Sequence, residues 1–210
     1  MTHPDPQSVD VLVIGGGPAG IAAACESAAS GCAVSVVDDN PDWGGQIWRA
    51  QRREGTEPLA RLWLDRIDRT GVQMLRGTQV VGSKGPGEMT AERDGEIHSL
   101  RFGKLILATG ARELFLPFPG WTLPGVMGAG GLQAMVKGGL PIEGKRVVVA
   151  GSGPLLLAVA AYLRKRGARV VLLAEQAPIG RIMRFGLSLP MSKVRQAVSL
   201  KRSLLGIPQK

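Results

Sequence analysis

The chain has 210 residues, 44% hydrophobic and 20% charged, an ordinary globular balance that excludes overall disorder and suffices for one comfortable domain or two cramped ones. Lys and Arg number 26 against 17 Asp and Glu, a formal charge of +9; with 4% aromatic residues and no stacking groups interleaved among the basic ones, no nucleic-acid partner is expected. No apolar run reaches the roughly 18 residues of a transmembrane span, the polar start "MTHPDPQSVD" lacks a signal-peptide pattern, and two cysteines without C-x-x-C spacing fit a reducing, cytoplasmic setting.

The first predicted element is a strand over residues 9–14, a short apolar run of the kind buried on both faces of a parallel sheet. It runs into Gly15-Gly16-Gly17-Pro18-Ala19-Gly20, in which Gly15, Gly17 and Gly20 have the G-x-G-x-x-G spacing. Gly15 permits the tight turn, Gly17 lets a pyrophosphate approach the backbone, and Gly20 lets the following helix pack closely on the strand. That helix is predicted over residues 21–30, its free N–H groups facing the phosphates, and Gly31 stops it. A second strand over 33–37 ends in Asp38, placed to accept the hydroxyls of an adenosine ribose. Strand, loop, helix, strand and acid in this order predict a dinucleotide site. Cys25 and Cys32 read as small apolar fillers. His3 and His98 are the only histidines, too few for a metal cluster or a histidine-based triad, and no metal is expected.

After Asp38, Gly44-Gly45-Gln46 forms a second glycine turn, with Trp43 and Trp48 read as packing residues. A helix is predicted over 57–70 from the spacing of Leu59, Leu62, Trp63 and Ile67, then a strand over 72–75. Residues 78–83, 89–93 and 97–102 alternate between turns and predict a β-meander. A separate apolar strand over 104–107 leads into Ala108-Thr109-Gly110-Ala111-Arg112. This arrangement of loop, ribose acid, glycine turn, meander and "ATG" resembles the FAD domain of the two-dinucleotide flavoproteins that include thioredoxin reductase. The resemblance implies FAD held by Gly15, Gly17, Pro18, Ala19, Gly20, Asp38, Gly45, Gln46, Val81, Thr109, Gly110 and Ala111. It also brings Arg112 and Glu113 near the flavin crossing, where a salt-bridged linker explains them equally well.

The proline-rich "LPFPGWTLPGV" follows, then a helix within 128–139, a strand over 146–150, a second glycine turn at Gly151-Ser152-Gly153-Pro154, a helix over 155–166, and a strand over 169–173 leading to Glu175. This repeats the first unit, with Leu156 where the first has Gly20. The expected fold is α/β, with two Rossmann-like dinucleotide-binding units and a small β-meander, the second unit inserted in the first and incomplete. Residues 1–116 form the FAD domain lacking its C-terminal return, 117–127 a linker, and 128–210 a partial NAD(P)-binding-like domain. The resemblance makes Gly151, Gly153, Pro154 and Glu175 candidate NAD contacts, with Leu156 weakening the case and Glu175 disfavouring a 2′-phosphate. Residues 192–205 are predicted to form a basic amphipathic helix.

The stretch from "LPFPGWTLPGV" through "GSGPLLLAVAAYLRKRGARV" is similar to the FAD-containing subunits of opine oxidases, D-hydroxyproline dehydrogenase and bacterial hydrogen cyanide synthase. Membership implies oxidation of a carbon–nitrogen bond in a small amino or imino acid by hydride transfer to flavin, in a hetero-oligomer with a second flavoprotein subunit. No Gly-Asp return follows the second loop, so a C-terminally truncated or split chain is expected. An NAD(P)H-dependent flavin reductase and a non-catalytic nucleotide-binding fragment are the alternatives. No catalytic acid or base is identifiable.

Overall fold

A computed structural model describes residues 8–49, 57–153 and 155–208. The chain divides into two compact units, Met1–Arg112 and Glu113–Lys210. Residues 113–116, grouped above with the first domain, and the linker 117–127 both fall in the second unit.

In the first unit β1 (Val9–Ile14) enters a glycine turn and α1 (Pro18–Ala29), which has proline in its first turn where no amide partner is lost. Gly31, at φ +83°, ends the helix turn and sends the chain into β2 (Val34–Val37), whose four residues are all buried. α2 (Pro58–Ile67) turns Ala60, Leu64 and Ile67 inward. β3 (Gln73–Leu75), β4 (Gln79–Gly85), β5 (Glu88–Arg93) and β6 (Glu96–Leu107) complete a sheet of order β3-β2-β1-β6-β5-β4. Val11, Val13, Ile21, Ala24, Val34, Val36, Leu64 and Ile67 build its core, and Trp43 and Trp48 pack into the same cluster.

The strands expected separately over 97–102 and 104–107 are one continuous strand. Along β6, Glu96 to Arg101 pair antiparallel with β5, and Phe102 to Leu107 pair parallel with β1. Gly103 marks the change: a β-carbon there would lie 3.1 Å from the Asp10 carbonyl oxygen, so the missing side chain lets the strand pass β1 closely. The switch from alternating to continuous apolar pattern is a change of partner, not a break in the strand.

The sheet order also dictates a curl. β3 and β4 stand at opposite ends of the order, yet only residues 76–78 join them. Four residue steps span at most about 14 Å, whereas the edges of a flat six-stranded sheet stand about 24 Å apart. The meander therefore bends back toward the strand ends of β2 and β3, and Thr78 donates its N–H to the Asp38 carbonyl oxygen at 3.0 Å.

The second unit contains α3 (Ala129–Lys137), β7 (Arg146–Gly151), α4 (Leu155–Lys165), β8 (Arg169–Glu175), α5 (Ile179–Ser188) and α6 (Met191–Ser203). β7 and β8 form a two-stranded parallel sheet. Val136, Val149, Leu156, Val159, Leu163, Val170, Leu173 and Leu204 make its core. The helix α5 lies outside the predicted elements: Ile179, Ile182, Met183 and Leu187 recur at helical spacing, but Gly180 and Gly186 lower its helical propensity, and it buries no residue. Among the described residues no helix is long and apolar enough to cross a membrane.

Candidate functional site

The first glycine loop is built by close backbone contact. Gly15 has φ +106°, and a β-carbon on it would lie 2.4 Å from the Ala108 carbonyl oxygen. Ala108 in turn donates its N–H to the Ile14 carbonyl oxygen at 2.8 Å, so the "ATG" segment adjoins the start of the loop. On Gly20 a β-carbon would lie 1.8 Å from the Gly15 carbonyl oxygen. Gly17 is different: it is the N-cap of α1 with φ −76° and ψ −175°, and a β-carbon there would meet only Gly45 Cα, at 3.9 Å. The second glycine thus opens outward beside the exposed Ala19. The amides of Ala19 and Gly20 belong to the first turn, which an α-helix leaves without intrahelical acceptors, at the positive end of its dipole.

Asp38, 7% exposed, closes the other side. Its Oδ2 accepts the Gly16 N–H, and its Oδ1 accepts the backbone N–H of Asn40 at 2.7 Å and the Asn40 side-chain amide at 2.6 Å. Asn40 Oδ1 accepts from Arg49 at 2.6 Å. The turn after Asp38 reaches back: Gly44 donates its N–H to the Gly16 carbonyl oxygen at 2.8 Å, and a β-carbon on Gly45 would lie 3.0 Å from Gly17 Cα. Gly15, Gly17, Gly20, Asp38, Gly45 and the start of the "ATG" segment therefore form one cradle. Thr109, Gly110, Ala111 and Gln46 are exposed around it. Val81 is 55% exposed on β4, outside this hydrogen-bonded group.

Asn40, Arg49 and Thr78 were not singled out from the sequence. The Asp-x-Asn spacing of residues 38–40 is the available signal, since Asx side chains bond amides two residues on. Asp39, exposed beside them, has its carboxyl pushed above the ordinary range by partial desolvation and by its neighbour Asp38, an effect opposed by the positive charge of Arg112. Glu113 acts structurally, since its Oε2 accepts the N–H of Gly130 at 3.0 Å and of Gly131 at 3.4 Å, at the N-terminus of α3.

The second loop repeats the plan with altered contacts. Gly151 pairs with Glu175 across β7 and β8, and the register slips by one residue between Val147 and Val148, leaving Val171 as an extra residue in β8. Glu175 accepts the Gly153 N–H at 3.0 Å through Oε2 and 3.3 Å through Oε1, and the Ala177 N–H at 2.9 Å. Leu156 is 5% exposed, and a β-carbon on Gly151 would lie 3.5 Å from its Cδ2. Pro154 lies outside the described residues.

A parallel sheet, a glycine turn feeding a helix N-terminus, and a buried carboxylate at the tip of the next strand define a dinucleotide-binding protein of mixed α/β class. The chain belongs to the pyridine nucleotide-disulphide oxidoreductase family, whose model matches residues 9–194. It is 37% identical over 195 residues to hydrogen cyanide synthase subunit HcnB of Pseudomonas protegens, covering 87% of this chain and 41% of that protein. It is also 37% identical over 175 residues to an opine oxidase subunit of Agrobacterium tumefaciens, covering 75% of this chain and 35% of that one. The chain thus spans about two fifths of the length of these curated relatives. Its fold resembles L-proline dehydrogenase from P. horikoshii, with a TM-score of 0.66 and 23% identity over 79% of this chain and 35% of that one. It likewise resembles thioredoxin reductase from T. acidophilum, at 0.64 and 21% over 96% and 64%.

Membership of the family indicates FAD as the cofactor and leaves NAD(P) as a second nucleotide to be weighed. The first loop fits such a group: Gly17 stands open where a side chain would fill the approach, and first-turn amides lie beside it. The second loop does not fit a dinucleotide, because its Gly153 amide is held by Glu175 and its third position is filled by Leu156.

Proposed function

We propose that the chain is the flavin-holding part of an oxidoreductase subunit that oxidises a carbon–nitrogen bond in a small amino acid, imino acid or opine, in assembly with a second flavoprotein subunit. The observation that carries the flavin half of this reading is the joining of two glycine turns: Gly44 bonded to Gly16, and Gly45 set against Gly17. In this reading Gly17, Ala19 and Gly20 receive the pyrophosphate at the helix N-terminus, Asp38 takes the adenosine ribose, and Gly45, Gln46, Thr109, Gly110 and Ala111 border the ribityl and ring portions. Bound there, FAD would supply a hydride acceptor for the hydrogen on the carbon of a neutral amine, leaving an iminium ion that water hydrolyses. The protein's own contribution is to orient that acceptor and keep its phosphates neutralised by amides and a helix dipole.

The carbon–nitrogen half is supported by the relatives, which are named as subunits of hydrogen cyanide synthase and opine oxidase.

The test is anaerobic reduction of the full-length protein purified with its partner subunit. A yellow protein that releases FAD on denaturation, and whose flavin is bleached by an opine or imino acid, supports the reading. A protein that stays colourless after incubation with FAD refutes the flavin assignment. Bleaching by NADH alone, with every carbon–nitrogen donor inert, refutes the substrate class.

A further inference from the structure

We infer that the second glycine loop is closed on its own strand-end carboxylate and takes no pyridine dinucleotide, so that nothing in this unit delivers nicotinamide hydride to a flavin. The inference rests on the reading above only in taking FAD as the occupant of the first loop.

The two loops spend their amides differently. In the first, the strand-end acid Asp38 takes the N–H of Gly16, the residue between the first two glycines, and leaves Gly17 facing outward. In the second, Glu175 is one methylene longer and takes the N–H of Gly153, the counterpart of Gly17. The extra residue at Val171 accounts for how the acid comes to this place: the bulge sets Glu175 opposite Gly151 although it follows that glycine by one residue more than Asp38 follows Gly15. Without the slip, Ala174 would stand there and the loop would have no internal anion.

The helix start is spent as well. Ile21 gives its N–H to the Gly17 carbonyl oxygen, four residues back, whereas Leu156 gives its N–H to the Gly153 carbonyl oxygen, three residues back at 3.2 Å. One first-turn amide that would face an anion is therefore turned inward. Gly153 itself has φ +90°, against −76° for Gly17, so the loop follows a different course at its second glycine. Leu156 cannot yield, because it belongs to the core with Val159, Leu163 and Leu173. A diphosphate entering here would meet a carboxylate already bonded to the amide it needs, and would have to displace one anion with another.

The experiment is a calorimetric titration of the full chain, with FAD in excess, using NADH, NADPH and ADP-ribose in turn. The expected result is no saturable binding of any of the three up to about 1 mM. Saturable micromolar binding of NADH or NADPH with FAD still in place would overturn the inference. Glu175→Ala removes the internal anion and is expected to bring saturable ADP-ribose binding below about 0.1 mM, at least about tenfold tighter than the parent's limit; a folded variant that still shows no saturable binding would refute the latch. Flavin absorbance of the same samples reports on the first loop alone, so loss of the flavin reading and loss of this inference give different signatures. The titration of the unaltered chain stands whether or not the variant folds.

Discussion

Gly20 is seated so closely on Gly15 that a β-carbon added to it would lie 1.8 Å from the Gly15 carbonyl oxygen. The acceptor is backbone at the end of a buried central strand, so relief requires α1 to move off the sheet. Gly20→Ala is expected to destabilise the fold by about 3 kcal/mol or more, at the upper end of overpacking costs. Urea unfolding monitored by tryptophan fluorescence checks this; a change within about 0.5 kcal/mol would refute the tight contact.

Gly17 offers the contrasting case. Its backbone angles are open to any residue, and an added β-carbon meets only Gly45 Cα at 3.9 Å. Gly17→Ala should therefore keep stability within about 1 kcal/mol of the parent, while the methyl group intrudes where the pyrophosphate approaches. FAD affinity, followed by flavin fluorescence quenching, should fall by about tenfold or more. Normal flavin binding by this variant would place the phosphates elsewhere.

The cysteines give a chemical readout of the fold. Cys25 is 1% exposed, and burial pushes its thiol up, whereas Cys32 is partly exposed. Iodoacetamide treatment of the native chain, read by peptide mass spectrometry, should alkylate Cys32 and spare Cys25 until denaturant is added. Comparable labelling of both in the native state would contradict the packing of α1.

Asp39 carries a pH signature. Its carboxyl is raised by partial desolvation and by Asp38, so the folded state holds that proton more tightly than the unfolded chain, whose value is near 3.8. Stability from this group is greatest below that value, falls as pH rises through the folded one, and leaves a residual penalty at neutrality. Asp39→Asn should raise the melting temperature at pH 7 and leave it unchanged below about pH 3.5. The exposed position keeps the gain under about 1 kcal/mol. A lower melting temperature at neutral pH would reverse the sign and place Arg112 as the dominant neighbour.

Much of the first unit was legible because its signals are local. Val9 to Ile14 is a continuous apolar run, Gly15, Gly17 and Gly20 have fixed spacing, and Asp38 follows a second apolar run. The identity of β6 was not legible, since one strand with two kinds of partner shows two patterns and reads as two strands. α5 was missed although Ile179, Ile182, Met183 and Leu187 recur at helical spacing, because Gly180 and Gly186 interrupt that pattern like turn residues; its apolar face stays exposed.

Residue identity alone settles which positions can form a phosphate-facing loop, because only glycine tolerates Gly15 at φ +106° and only a residue without a β-carbon fits against the Gly15 carbonyl at Gly20. Which of the two loops remains open is settled by the folded chain. A hydrogen bond from Gly16 to Asp38 leaves Gly17 outward, while a one-residue bulge in β8 brings Glu175 onto Gly153. That outcome depends on strand register and side-chain reach across 22 residues of chain, and neither is encoded in the loop itself.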